Sequence, residues 1–414
     1  MSRFMSRFMS QLMPKLVALP QTSQARAGIG PALTREWARL RADFWDMGML
    51  SWIPLLLYLL TWWIFAGGIA RDLPIAVIDD DHSAISRQLT RWLDASPGVA
   101  VIAQPASGAA ALPLLRERRA YGFMLIPRGF ETDLASGRAA TVEWFYNAQF
   151  SAHVGALSRD VRSAVSTLSA GVETNARTRR GASGVQAVQQ FEPIRMRLVT
   201  LFNESTSYES FLAMALIPSM LQIFVVVAVV TTIGRELRDG TVPQWLASAN
   251  GSWPLAVMGK LAFPLAAFAL QALVFLLFFS VLRGWAVGGS LAAIVLSLLL
   301  LVLAYLGVGL LLISLTLSLR NALSAAAFIT APAFAYAGQG FPLLAMPPLA
   351  RAWAEALPLT HYLQLQSRHW LAGAPWRYGV GEMLILAGFA LGCGALGLFL
   401  LSRRASSPDA WGKT

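Results

Sequence analysis

The sequence predicts a polytopic α-helical membrane protein with six transmembrane helices and an extracytoplasmic α/β domain inserted between the first and second spans. Three observations carry that class. Of 414 residues, 56% are hydrophobic and only 13% charged, a composition of multi-span membrane proteins rather than of soluble globules. Six apolar runs, at 48–70, 211–233, 261–282, 291–318, 322–341 and 380–402, are each long enough to approach or cross a hydrocarbon core. Between the first two lie some 140 residues of quite different composition.

Basic residues set the expected orientation, because Lys and Arg in short flanks are retained on the cytoplasmic side. With the N-terminus inside, the cytoplasmic segments carry 14 basic residues and the short segments on the opposite side carry 4, namely Arg283, Arg351, Arg368 and Arg377. Between 71 and 210 there are 15 basic and 14 acidic residues, so most of the formal +11 belongs to the cytoplasmic flanks. The high net charge is therefore a topology signal, not a nucleic-acid-binding one. Both termini are expected in the cytoplasm.

In chain order, residues 1–32 repeat MSRF and lack an apolar core of signal-peptide length, which predicts a disordered or mis-started leader rather than a cleaved signal. Residues 33–47 place Leu33, Trp37, Leu40 and Phe44 at helical spacing, with Arg35, Arg39 and Arg41 elsewhere on the wheel. That pattern predicts an amphipathic helix in the membrane interface before the first span, with a plain extension of that span as the other reading. The inserted region, 71–210, alternates strand and helix patterns. LPIAVIDDD, VAVIA, YGFMLIP and VEWFYN read as strands. Ile85, Leu89, Trp92 and Leu93, and the stretches near 109–119 and 152–178, read as helices. The alternation predicts a small mixed sheet with helices packed on it, and FEPIRMRLVTLFN is expected to return the chain to the membrane as an extended segment. After the second span comes a charged loop, 234–260, then three apolar runs. The fifth run is separated from the fourth by only Arg320 and Asn321. An outer hairpin over 342–378, the sixth span and a cytoplasmic tail at 405–414 complete the plan.

Catalytic chemistry finds little support. The single cysteine, Cys393, excludes a disulfide framework. Asp79, Asp80, Asp81 and His82 could in principle ligate a divalent cation, but acids after a strand and before a helix are ordinary turn and capping chemistry. His153, His361 and His369 are scattered, so no metal site, cofactor or catalytic residue is assigned. No GxxxxGK[ST] loop is present, and the Gly259-Lys260 pair opens an apolar run, where it cannot cradle phosphate.

The loop is the informative segment. Val242, Trp245, Leu246 and Ala249 fall at i, i+3, i+4 and i+7, one apolar stripe on a short helix that needs a groove to bury it. Lipid headgroups are one possible resting place. Glu236, at the edge of the second span, is placed to pair with Arg235, Arg238 or a helix N-terminus.

GRELRDGTVPQWLAS followed by GK resembles the cytoplasmic loop of ABC type-2 permeases, the membrane subunits of ATP-driven exporters. The matching pairs are Arg235-Glu236, Gly240-Thr241, Trp245-Leu246 and Gly259-Lys260. Pro243 stands where a helix former is usual, and Ala249-Asn250 replaces a common small-residue-Pro pair. The segment from LPIAVIDDD to YGFMLIPRGF resembles the extracytoplasmic domain of the same family. Gly340, Pro342, Met346, Pro347, Pro358 and Thr360 match its outer hairpin. The resemblance implies a coupling helix whose groove lies on a separate ATPase subunit, with Arg235, Glu236, Gly240, Thr241, Val242, Trp245, Leu246 and Lys260 in the coupling site. It also implies a homodimer or a paralogous permease partner, a possible periplasmic adaptor, and an amphipathic or apolar cargo. A receptor with a periplasmic ligand domain lacks a cytoplasmic effector here. A secondary transporter should show mid-span charge or mirrored broken repeats, and neither is evident.

Overall fold

The computed structural model describes residues 28–68, 71–136, 138–147, 151–179 and 207–412. It divides into two compact units, one of Met1–Ile64 with Ser210–Thr414 and one of Phe65–Glu209. Most of the expected leader and the FEPIRMRLVTLFN segment lie outside the described residues.

The amphipathic pattern near the N-terminus forms two helices rather than one, α1 (Ile29–Ala42) and α2 (Phe44–Leu50). Helix α1 begins four residues before the expected start, so residues 29–32 are not leader. Asp43 breaks the two by capping α2, its Oδ1 accepting the N–H groups of Trp45 and Asp46 at 2.9 and 3.2 Å. Helix α3 (Trp52–Phe65) follows at a 45° bend.

In the second unit β1 (Leu73–Asp79), α4 (Ala84–Asp94), β2 (Val99–Ala103), α5 (Gly108–Arg116), β3 (Gly122–Ile126), α6 (Phe130–Ala135), β4 (Glu143–Tyr146) and α7 (Ser151–Arg179) follow in turn. The sheet order is β2-β1-β3-β4, with β1 parallel to β2 and β3, and β4 antiparallel to β3. Central β1 is buried on both faces, as its continuous apolar run requires. Ile75 and Val77 pack with Leu89, Leu93, Leu157 and Val161 of α4 and α7, and Ala76 and Ile78 with Ala111 of α5. The acids after β1 are turn chemistry. Asp79 accepts the N–H groups of Asp81 and His82 and the Ser86 hydroxyl. Asp81 accepts the N–H groups of Gly129 and Glu131 at 2.8 and 3.1 Å. Burial opposes ionisation of Asp81, but these bonds together with Ser83 outweigh it and hold the carboxyl below its ordinary range.

The first unit continues with α8 (Met214–Arg238), preceded by a π turn, Glu209–Ala213, then α9 (Val242–Ser248) and α10 (Trp253–Leu277) with a π turn, Phe278–Leu282. Helices α11 (Leu291–Thr316), α12 (Leu319–Thr330), α13 (Ala333–Tyr336), α14 (Pro348–Glu355), α15 (Pro358–Gln366) and α16 (Val380–Arg404) complete it. Among the described residues four helices are long and apolar enough to cross a membrane, or five if the bent α2–α3 pair counts as one span. The expected fifth run is not a continuous helix. Helix α12 has 12 residues, about 18 Å at 1.5 Å per residue, and it ends ahead of Pro332, which has no N–H to give the carbonyl four residues earlier and so cannot continue the ladder. The broken chain nevertheless tracks α8 end to end. An added Cβ on Gly234 would lie 2.8 Å from Leu319, Gln222 Nε2 donates to Thr330 O at 3.2 Å, and Gln339 Nε2 donates to Phe211 O at 2.8 Å.

Helices α11 and α16 pack in parallel. A Cβ on Gly307 would meet Ala390 and Gly394 backbone at 3.0 Å, one on Gly397 would meet Leu311 N at 2.8 Å, and Arg404 Nη1 donates to Ser314 O and Leu315 O. Gly388, Gly392 and Ala395 lie elsewhere on α16 and are exposed on this chain. Two carbonyls left without a donor by proline are served by glutamines. Pro218 cannot donate to Met214 O, and Gln366 Nε2 does so at 2.9 Å; Pro54 cannot donate to Leu50 O, and Gln271 Nε2 does so at 2.9 Å. In an apolar medium each such carbonyl must be satisfied from within the protein.

Candidate functional site

At the end of α8 that carries Arg238, eight charged side chains from α1, α2, α8 and α10 converge with two threonines. The centre is Glu236, 3% exposed. Its two oxygens take the Arg35 guanidinium as a fork, at 2.7 and 2.8 Å, the bidentate geometry that makes arginine–carboxylate pairs strong. Lys260 Nζ lies 2.6 Å from Glu236 Oε1, and the Thr241 hydroxyl donates to Oε2 at 2.5 Å. Lys260, 1% exposed, also pairs with Glu36, itself 1% exposed. Arg39 joins Glu36, at 2.5 Å, to Asp46, at 3.0 Å, and donates to Thr232. Arg235 closes the array on Asp46 and Asp43, at 2.6 and 2.8 Å. The Arg235 hydrogen bond, with the N–H groups of Asp46 and Trp45, holds the Asp43 carboxyl below its ordinary range.

Four cations face four carboxylates, so the array is neutral overall. Neutrality is what makes burial tolerable, since an unpaired buried ion carries a penalty of several kcal/mol. It also explains α1. Glu36 is buried on the same face as Ala32 and Leu40, with Arg39 half-buried beside it, whereas Trp37 is exposed.

Local backbone delivers each group. Gly240, at φ 68°, takes the left-handed turn that ends α8, where a side chain would be strained. The turn drops Thr241 under Glu236, and its N–H bonds Glu236 O at 3.0 Å. Pro243 falls in the first turn of α9, where a missing N–H carries no penalty. Gly259 lets α10 reach α1, for a Cβ there would lie 2.7 Å from that of Ala32, and Lys260 thereby gains Glu36. Trp245 covers the array, with Lys260 Nζ 5.9 Å from its ring and its Nε1 donating to Ala256 O at 3.0 Å.

Two expectations are corrected. The groove for the apolar stripe is the chain's own: Val242, Trp245 and Ala249 are buried against it, because Trp245 reaches the α10 backbone. Only Leu246 stays half-buried, and the outward face of α9 consists of Pro243, Gln244 and Ala247. Glu236 pairs with neither Arg235 nor Arg238. Arg235 turns to α2, and Arg238 forms an exposed pair with Asp239 at 2.7 Å. Arg235, Glu236, Gly240, Thr241, Val242, Trp245 and Lys260 thus meet in one place. Arg35, Glu36, Arg39, Asp43 and Asp46 were absent from the sequence-based site. The signal for them was Glu36 and Arg39, three apart on the face of α1 opposite Trp37.

A family model described as ABC-2 family transporter protein matches residues 45–399. No curated protein and no solved structure matches the chain.

Proposed function

The chain belongs to the ABC-2 family of transporter proteins, and from that premise we propose that it is the permease subunit of an exporter driven by a separate ATPase subunit. The observation that carries the reading is the buried network. Glu236 bonds groups from α1, from the turn before α9, and from α10, so a displacement of α9 reaches three membrane-associated elements together. The partner docks on the outward face of α9, Pro243, Gln244, Leu246 and Ala247. Arg235, Glu236, Gly240, Thr241, Val242, Trp245 and Lys260 hold that face and pass its movement on; they do not touch the partner.

Six crossings place this array in the cytoplasm and the α/β unit outside. Two features support six. Parallel α11 and α16 require the chain between them to return across the bilayer, and α12–α13 follows α8 over its whole length as a broken span. The basic-residue asymmetry supports the same orientation. Two permeases, identical or paralogous, form the pathway, with an adaptor contact available to the outer unit.

Substituting Ala247 with Asp places a charge on the outward face of α9 without entering the core. The variant should insert and fold normally yet lose co-purification with the ATPase subunit. Retention at the wild-type level would move docking to another surface.

A further inference from the structure

A cavity of about 120 Å³ lies between α3, α8, α10 and its π turn, with Phe275 and Phe279 buried in its wall. Its lining includes the buried polar side chains of Tyr58, at 7% exposure, and Gln271, at 5%, together with the Trp62 indole. Among the described residues the Tyr58 hydroxyl and Gln271 Oε1 have no hydrogen-bond partner. The orientation of Gln271 is settled by chemistry, since Leu50 O can only accept and therefore takes Nε2. Its oxygen is left over.

Gln271 lies 11 residues beyond Lys260, roughly 16 Å along the helix, about half the thickness of a hydrocarbon core. Water is scarce at that depth, so an idle hydroxyl and an idle amide oxygen are heavily penalised. The cavity opens sideways, where Leu55, Leu59 and Val274 are 40%, 57% and 45% exposed, toward the surface that faces lipid. Among the described residues no charged side chain lines it. Its volume is close to that of a cavity that accepts benzene.

We propose that this cavity is a binding site for a neutral hydroxyl-bearing amphiphile that enters from the bilayer. The hydroxyl donates to Gln271 Oε1 and accepts from the Tyr58 hydroxyl, and the apolar body extends past Val274 into lipid. The permease reading makes such a molecule the cargo class; binding by the chain alone does not depend on that reading.

The test uses the full chain in lipid nanodiscs, without an ATPase subunit, and a long-chain primary alcohol carrying a photoreactive diazirine. The wild type should be labelled on α3 and α10. Unlabelled alcohol should compete, whereas its methyl ether, which cannot donate, and the matching alkane should compete at least tenfold less well. Tyr58→Phe removes a group that bonds nothing among the described residues, so it should leave folding intact and weaken the alcohol about tenfold, the loss of one hydrogen bond. Val274→Trp, which fills the mouth, should abolish labelling there. Equal competition by alcohol and alkane, equal binding by Tyr58→Phe, or labelling spread evenly over the lipid-facing helices would each overturn the site. Because nothing here needs ATP or α9, such a failure is separable from failure of the Ala247→Asp experiment.

Discussion

Lys260 is a lysine 1% exposed whose ammonium is shared by Glu36 and Glu236, and its replacement tests the network residue by residue. Lys260→Met preserves volume and removes one charge, which leaves four carboxylates facing three cations. The expected loss is about 3–5 kcal/mol, the range for breaking a buried pair from one side. It should appear as a lower melting temperature of the full chain in lipid and faster proteolysis of the 234–260 loop. The second change Glu36→Gln, which restores neutrality, should recover part of it; a single variant as stable as wild type would mean the pairs contribute nothing. In the sequence these residues were only half legible. The loop pairs could be quoted, but which partners they choose depends on α1 lying against α10, a contact between residues 32 and 259 that no local pattern encodes. Glu236 was assigned to its sequence neighbours for that reason.

Helices with proline inside them can be read from the sequence, but the residues that repair them cannot. Pro54 and Pro218 each free a carbonyl four residues earlier, and Gln271 and Gln366 supply the missing N–H from distant helices. Gln366→Leu should therefore lower stability by about 1–3 kcal/mol, the range for an unsatisfied buried carbonyl. In a Pro218→Ala background the helix regains its own N–H, so the same substitution should be nearly harmless. A double-mutant cycle reads this as coupling of about 1 kcal/mol or more, and strict additivity would refute the repair. The four strands of the α/β unit lie within the runs from which they are expected and three of its helices begin close to theirs, because alternation and Ser caps are local signals, whereas the six-residue α6 (Phe130–Ala135) was not expected. The fifth run is broken rather than continuous for a physical reason: hydropathy is blind to backbone, and Pro332 interrupts a stretch whose composition alone suits an unbroken helix.

The whole molecule depends on which side of the membrane each end of α8 occupies. Reporter fusions near residues 120 and 350 should read outside, and those near 245, 320 and 410 inside. A five-crossing chain would place 410 outside, away from the array, although Gly412 N–H bonds Leu237 O at 2.9 Å. With that orientation, this chain is expected to transport only when a separate ATPase subunit acts through α9 and the Glu236 array. The most direct measurement is ATP-driven transport by the chain reconstituted with and without its ATPase subunit, in wild-type and Glu236→Gln forms. We expect no ATP hydrolysis by the chain alone, hydrolysis with transport in the complex, and a Glu236→Gln complex that still assembles and hydrolyses ATP while transport falls at least tenfold. Hydrolysis by the purified chain alone, or full transport by the Glu236→Gln complex, would contradict that expectation.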